Sequence, residues 1–201
     1  MNVELIKSRI VHDGFFRLFS LLLRFERFDG SMSRPVTLES LERGEVVVVL
    51  LYDPKTDRVG LIRQFRIGPH LAEGQGYILE MVAGACNQET DHEQVARREV
   101  SEETGWALEN LTLVRSFYLN PAGSTERIYL FLGLFDGLSN PKATGLDHED
   151  EDILPITLTF DEAWDKMGQG EINSAIPILA LQWLKDYRQS ILKGQSSTRL
   201  A

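Results

Sequence analysis

One segment, residues 84–106, constrains the fold of this chain more than any other. A glycine-containing loop leads into a stretch with helical periodicity, and Gly105 suits a left-handed cap at its end. At the other end, Thr90 followed by Glu93 is typical of a capping box. The pattern therefore predicts a helix that begins at about residue 91 and ends at about residue 104.

The predicted helix carries three carboxylates on one side. At roughly 100° per residue, Glu99, Glu102 and Glu103 fall within an arc of about 100°, next to the apolar Val95 and Ala96. Like charges four residues apart cost a few tenths of a kcal/mol, so a positive group is expected beside them. The sequence therefore predicts a cation close to these acids.

Two cations are available to this acidic stripe. Arg98 can pair with Glu102 at the i,i+4 spacing, a structural explanation that covers only one of the three acids. A metal ion is the alternative, because carboxylate oxygens are hard ligands that suit Mg²⁺ or Mn²⁺. We therefore expect a metal site on this helix.

This spacing resembles the Nudix box of the Nudix hydrolases. The box begins with a glycine, five residues of any type and an acidic residue. After seven more residues of any type, it continues with Arg-Glu-hydrophobic-any-Glu-Glu-any-Gly-hydrophobic. The matching residues are Gly84, Arg98, Glu99, Val100, Glu102, Glu103 and Gly105. Two positions depart from the box. Thr90 stands at its first acid and Trp106 at its closing aliphatic residue. We attribute the first departure to the predicted capping role of Thr90, which leaves the glutamates intact.

The remaining segments predict an α/β protein. Strands are predicted at residues 2–12, 15–28, 45–52, 59–65, 77–82, 111–119 and 126–135, and later helices at 161–168 and 175–192. Residues 28–31 are predicted to form a hairpin turn, and residues 53–57 a turn that makes the strands on either side an antiparallel pair. This order agrees with the α/β/α sandwich with mixed sheet that the resemblance implies, preceded by an antiparallel β extension. We expect the extension to span residues 1–42, the Nudix domain 43–192 and a flexible tail 193–201.

Composition excludes several classes of protein. The net charge of −9 and the lack of a Lys/Arg cluster argue against nucleic-acid binding, which requires local positive charge. The single cysteine, Cys86, excludes an internal disulfide and fits a reducing compartment, and we expect it to be a small, partly buried hydrophobic residue. The apolar run 15–25 is interrupted by Arg17 and Arg24, and no leader with a cleavage site precedes it. We therefore expect a cytoplasmic protein with no membrane span.

Features outside the box resemble the ADP-ribose pyrophosphatase branch of the family. Pro121 lies sixteen residues after Gly105, a spacing typical of this branch. Residues 116–126 resemble the pattern Ser-Phe-x-x-Ser-Pro-Gly-x-x-x-Glu, although Asn120 and Ala122 depart from it. The resemblance thus narrows the expected substrate to a nucleoside diphosphate sugar.

The resemblance implies a set of catalytic and metal-binding residues. The expected metal ligands are the Ala83 carbonyl oxygen and the carboxylates of Glu99, Glu102, Glu103 and Glu151. The acidic segment 145–153 matches the catalytic loop of the branch, in which Glu149 would be the general base. The structural alternative for this segment is a solvated acidic turn.

The resemblance also implies substrate contacts. The expected substrate-binding residues are Phe15, Arg43, Arg66, Glu80 and Glu126. Phe15 would stack on adenine or fill a core between strands, and Glu126 would reach the ribose. Arg43 and Arg66 would bind phosphates or pair with surface acids, with Arg63 a near alternative to Arg66.

The sequence therefore predicts Mg²⁺-dependent hydrolysis of ADP-ribose to AMP and ribose 5-phosphate, with Mn²⁺ a second candidate metal. One alternative is a pyrophosphatase for another nucleoside diphosphate sugar, such as GDP-mannose. A noncatalytic nucleotide-sensing protein is an alternative of a different class. The apolar N-terminal strands and the family branch also predict a homodimer.

Overall fold

A computed structural model describes residues 1–86, 91–138 and 152–192. The described residues form two compact units, which are treated separately. The first comprises Met1–Val46 and Ser116–Ile128, and the second comprises Val47–Arg115 and the chain from Tyr129 onward. The predicted limits of the extension and the Nudix domain stay a prediction, and the predicted tail 193–201 lies outside the described residues.

The first unit contains a three-stranded antiparallel sheet. Its strands, in spatial order, are β1 (Val3–Asp13), β2 (Arg17–Phe25) and β3 (Val36–Glu42). The predicted turn near Gly30 is confirmed, since Gly30 has a φ of 80° and its N–H donates to the Arg27 carbonyl at 2.9 Å. β3 was not predicted as a separate strand, because its polar residues and unevenly spaced leucines hide the two-residue period.

The main sheet has seven strands in the described residues. They are β4 (Glu45–Asp53), β5 (Arg58–Phe65), β6 (Tyr77–Glu80), β7 (Val82–Ala85), β8 (Leu108–Tyr118), β9 (Arg127–Phe135) and β10 (Leu154–Thr159). The spatial order is β10-β5-β4-β9-β8, with β6 paired to β5 and β7 paired to β4. The predicted antiparallel β4–β5 pair is confirmed. β10 was not predicted, since Pro155 argues against a strand interior and is tolerated here at the sheet edge.

Four helices accompany the sheet in the described part of the chain. They are α1 (Ile67–Glu73), α2 (His92–Thr104), α3 (Phe160–Gly168) and α4 (Ala175–Leu192). The predictions for α2, α3 and α4 are confirmed, and α4 has the limits expected. α1 escaped prediction because it is seven residues long, contains Gly68 and Pro69, and buries no side chain. No helix in the ranges described is both long and apolar enough to cross a bilayer.

The core of the second unit joins α2 to the sheet. Its buried members are Val47, Val49, Leu51, Ile62, Val82, Cys86, Val95, Ala96, Val100, Trp106, Leu111, Phe131, Phe135 and Ile153. Three of these side chains come from α2, which therefore packs on the sheet through one apolar stripe. Burial of Cys86 agrees with its expected role as a small hydrophobic residue.

A charged network links α4 to the turn between β4 and β5. Arg188 Nε donates to Asp57 Oδ1 at 2.7 Å, and a second guanidinium nitrogen contacts Asp57 Oδ2. The Tyr52 hydroxyl donates to the same carboxylate at 2.9 Å. The Arg188 guanidinium also lies 3.8 Å from the centre of the Phe160 ring. Asp57 thereby connects the turn between β4 and β5 to helix α4.

We expect Asp57→Asn to lower the free energy of unfolding by about 1–2 kcal/mol, because it removes a bidentate charged contact of Arg188. Asparagine tolerates the positive φ of 55° at this position, so the variant isolates the charge. Asp161→Asn is the control, since Asp161 is 87% exposed and lies 3.9 Å from Arg188. Equal urea midpoints for the two variants would contradict the assigned role.

The same network predicts a pH dependence of stability. Burial, followed by the hydrogen bond to Asp57, raises the pKa of Tyr52 from 10 to about 12. A raised folded-state pKa stabilises the protein fully below pH 10, and this stabilisation is lost as the pH rises through 12. Urea unfolding at pH 9 and 11 should therefore show a smaller alkaline loss in Tyr52→Phe than in the wild type.

Candidate functional site

Helix α2 is defined at both ends by local contacts. Gly105 has a φ of 68°, and its N–H donates to the Ser101 carbonyl at 3.0 Å, which confirms the predicted C-cap. At the start, the Asp91 carboxylate accepts from the Gln94 N–H at 3.1 Å. The cap predicted at Thr90 is therefore wrong, because the helix begins one residue later and Asp91 takes that position. Thr90 itself lies outside the described residues.

The three glutamates of α2 differ in burial. Glu103 is only 5% exposed, and the side chains of Glu99 and Glu102 are 14% and 32% exposed. This gradient follows from the helix, because the acidic stripe continues the buried side formed by Val95 and Ala96. A buried carboxylate requires charge compensation or hydrogen bonds, so the positions of Glu99 and Glu103 fit a cation-binding role.

Strand β7 brings a glycine against one of these acids. A Cβ atom placed on Gly84 would overlap the Glu99 carboxylate and its Cγ. Only a residue without a side chain permits this approach. Ala83 precedes Gly84 in the same strand, so the expected carbonyl ligand and the Glu99 carboxylate belong to one local cluster. The donor set is all oxygen, which suits Mg²⁺ or Mn²⁺.

Arg98 supplies positive charge to the same stripe. Its guanidinium nitrogens lie 3.0 Å from Glu99 Oε1 and 3.3 Å from Glu102 Oε2. The predicted pairing with Glu102 is confirmed, but the expectation that Arg98 covers one acid is wrong, because its forked head reaches two. Across the ranges that the structure describes, no three His, Cys, Asp or Glu side chains form a ready-made metal cage.

A second charged pair joins Arg66, which directly follows β5, to Glu80, the last residue of β6. Arg66 Nε donates to Glu80 Oε2 at 2.5 Å, and the side chain of Arg66 remains 41% exposed. The pairing of Phe65 with Tyr77 aligns these strands and brings the pair together. Arg63, the alternative phosphate-binding residue, lies on the face of β5 that points away from α2, because its neighbour Ile62 packs in the α2 core.

The first unit groups three of the predicted substrate-binding residues. Arg43 Nε lies 3.5 Å from Glu126 Oε1, and its guanidinium carbon lies 5.9 Å from the centre of the Phe15 ring. Phe15 is 90% exposed, so the alternative that it fills a core is wrong. An exposed aromatic ring beside an arginine and a carboxylate offers stacking, phosphate binding and hydroxyl binding.

The loop that carries Glu126 is fixed to the end of β3 by four hydrogen bonds within the first unit. Leu41 N–H donates to the Gly123 carbonyl at 2.8 Å, and Thr125 N–H donates to the Leu41 carbonyl at 3.0 Å. The Thr125 hydroxyl accepts from the Arg43 N–H at 3.0 Å, and Arg127 N–H donates to the Gly44 carbonyl at 3.1 Å. This ladder brings Glu126 to Arg43.

Two contributors to this group were not identified from the sequence. The Phe16 ring centre is 4.8 Å from the Arg43 guanidinium carbon, closer than the Phe15 ring, and the two rings make an edge contact at 4.9 Å. In the sequence, the position of Phe16 directly after Phe15 was the signal that could have identified it. Thr125 gave no signal, because its partner Arg43 is 82 residues away in sequence. Glu149, the predicted base, and Glu151, a predicted further metal ligand, lie outside the described residues.

The family model described as "NUDIX domain" matches residues 42–177. The chain therefore belongs to the Nudix family, as the spacing of the box predicts. A solved ADP compounds hydrolase, 20% identical, superposes with a TM-score of 0.73 over 98% of this chain and 97% of its own. That likeness confirms the predicted α/β Nudix fold.

Relatives at higher identity fall into two named groups. The "ADP-ribose pyrophosphatase" of Escherichia coli strain K12 is 36% identical over 190 residues, which are 94% of this chain and 91% of the relative. Its namesake from Haemophilus influenzae is 35% identical over 92% of this chain and 86% of its own. The "GDP-mannose pyrophosphatase" of Cronobacter sakazakii is 36% identical over 92% of this chain and 96% of its own.

Proposed function

We propose that this protein is a divalent-metal-dependent hydrolase that splits ADP-ribose into AMP and ribose 5-phosphate. The observation that carries this proposal is the packing of the Glu99 carboxylate against Gly84, on a helix that also buries Glu103. The relatives named for ADP-ribose support the choice of substrate. The relative named for GDP-mannose makes that sugar nucleotide the second candidate.

The carboxylates of Glu99 and Glu103 would hold Mg²⁺ or Mn²⁺, with Glu102, Glu151 and the Ala83 carbonyl completing the ligand set. A cation that binds Glu99 competes with Arg98, which lies 3.0 Å from that carboxylate. When bound, such a metal neutralises diphosphate charge and activates water. We propose Glu149 as the base that accepts the proton of this water.

The proposed substrate contacts divide by chemistry. Phe15 would stack on the base, and the Glu126 carboxylate would accept hydrogen bonds from ribose hydroxyls. Arg43 and Arg66 would bind phosphate oxygens, because a guanidinium matches their geometry. Each arginine pairs with an acid in this structure, so a phosphate group would compete with Glu126 for Arg43 and with Glu80 for Arg66. Glu80 remains a proposed substrate-binding residue.

Product analysis tests the proposal. Purified protein with Mg²⁺ is incubated with ADP-ribose, GDP-mannose and other nucleoside diphosphate sugars, and the products are separated by ion-exchange chromatography. We expect AMP and ribose 5-phosphate in equal amounts from ADP-ribose, with GDP-mannose cleaved more slowly. Faster GDP-mannose cleavage would favour the second substrate, and intact substrates with measurable binding would favour a noncatalytic nucleotide sensor.

Replacing Phe15 tests the stacking role separately. We expect Phe15→Ala to raise KM for ADP-ribose roughly fivefold with little change in kcat, since base stacking contributes on the order of 1 kcal/mol. Phe28→Ala is the matched control, because Phe28 is 98% exposed and belongs to a turn. An unchanged KM in Phe15→Ala would exclude this ring from substrate binding.

We further propose a cytoplasmic homodimer formed through the extension at residues 1–42. Strand β1 carries apolar side chains that are exposed in a single chain, including Val3 at 67% and Leu5 at 58%. Several exposed apolar side chains on one strand fit an interface. A dimer mass by light scattering is the expected result, and a monomer mass would refute it.

A further inference from the structure

A cavity of about 290 Å³ lies on the face of β5 and β6 opposite helix α2. Side chains alternate between the two faces of a strand, and Ile62 packs in the α2 core, so Arg63 belongs to the other face. The lining residues that matter here are Arg63, Glu73, Gln75, Tyr77, Gln169 and Asn173. The cavity is thus separate from the glutamates of α2.

Two opposite charges face this cavity without neutralising each other. Neither Arg63 nor Glu73 forms an ion pair with another residue in the described ranges, although both line the same space. A third charged lining residue, Glu171, is compensated by Lys166 at 2.7 Å. One positive and one negative group therefore remain available to a ligand.

The other lining groups suit a small polar molecule. The side-chain amides of Gln75, Gln169 and Asn173 each offer donors and an acceptor. Tyr77 adds an aromatic ring that is 59% exposed. The volume lies at the lower end of the range for ligand pockets, so the occupant is smaller than a dinucleotide.

We propose that this cavity binds a small zwitterion of the α-amino acid class, with its carboxylate on Arg63 and its ammonium group on Glu73. A guanidinium pairs with a carboxylate through two parallel hydrogen bonds, and a carboxylate accepts hydrogen bonds from an ammonium group. An anion alone would engage only Arg63, and a cation alone would engage only Glu73. A zwitterion satisfies both groups.

Isothermal titration calorimetry of the full chain tests this proposal. The probes are the twenty proteinogenic amino acids, with ribose 5-phosphate as an anion and ribose as a neutral molecule. We expect saturable binding of at least one amino acid, weakened tenfold or more in both Arg63→Gln and Glu73→Gln. Arg115→Gln, which removes an exposed arginine outside the cavity, should bind as the wild type does.

Three results would overturn the proposal: binding of no amino acid, amino acid binding that is unchanged in either charge variant, or Arg63-dependent binding of ribose 5-phosphate alone. Circular dichroism melting of each variant separates loss of binding from loss of fold. Since Arg63 and Glu73 are exposed, we expect melting temperatures equal to that of the wild type. The test needs no hydrolysis assay, so it stands apart from the proposed enzymatic function.

Discussion

Glu103→Gln should lower kcat for ADP-ribose on the order of 10³-fold, equivalent to about 4 kcal/mol of transition-state stabilisation. Glu103 is 5% exposed, and the substitution keeps its shape while removing its negative charge. A neutral amide is a poor ligand for a divalent cation, so Mn²⁺ affinity measured by electron paramagnetic resonance should fall with the rate. Steady-state kinetics at saturating Mg²⁺ provide the rate.

The same helix offers a matched control. Glu93→Gln also removes one carboxylate from α2, but Glu93 lies in the first turn and pairs with Arg97 at 2.8 Å. We expect wild-type kcat and Mn²⁺ affinity from this variant, with at most a few tenths of a kcal/mol lost in stability. Unchanged turnover in Glu103→Gln would refute the metal role. Equal losses of kcat in both variants would mean that turnover depends on the total negative charge of α2 and not on Glu103 itself.

Gly84→Ala should reduce kcat about 10²-fold and destabilise the protein by about 1–3 kcal/mol. The added methyl group would overlap the Glu99 carboxylate, so either that side chain or strand β7 must move. Displacing Glu99 would also weaken metal binding. Excess Mg²⁺ should therefore recover part of the lost rate, which a purely structural defect would not allow.

Gly68→Ala is the corresponding control for this glycine. Nothing lies within 4 Å of a Cβ built on Gly68, and its position in α1 tolerates alanine. We expect wild-type activity and equal or higher stability, because alanine favours a helix more than glycine does. A Gly84→Ala enzyme that matched Gly68→Ala in rate and melting temperature would show that the close contact with Glu99 has no functional consequence.

The sequence was most informative where interactions are local. The end of α2 at Thr104 and its Gly105 cap depend on residues a few positions apart, and both were predicted correctly. The same holds for the turn between β4 and β5, since a hairpin is specified by its own turn residues. The cap at Asp91 differs by one position from the prediction, because neighbouring Thr and Asp residues both favour that role.

Elements with a weak local signal escaped prediction. Helix α1 buries no side chain, so no hydrophobic period marks it. Strand β10 contains Pro155, and its pairing with β5 joins residues that are more than 90 positions apart in sequence. Such pairing depends on which other strands could pair with the same edge of the sheet, and this is a property of the whole unit.

By itself, the sequence determined the family, the helix proposed to bind metal and the set of candidate residues, because one helix fixes the spacing of its own side chains. Only the tertiary structure decided which of those residues meet. Arg66 pairs with Glu80, Arg43 with Glu126, and the Glu99 carboxylate rests against Gly84. These contacts join separate strands, loops and helices, so their geometry follows from strand register and core packing, which act between elements and leave no periodic signal in the chain.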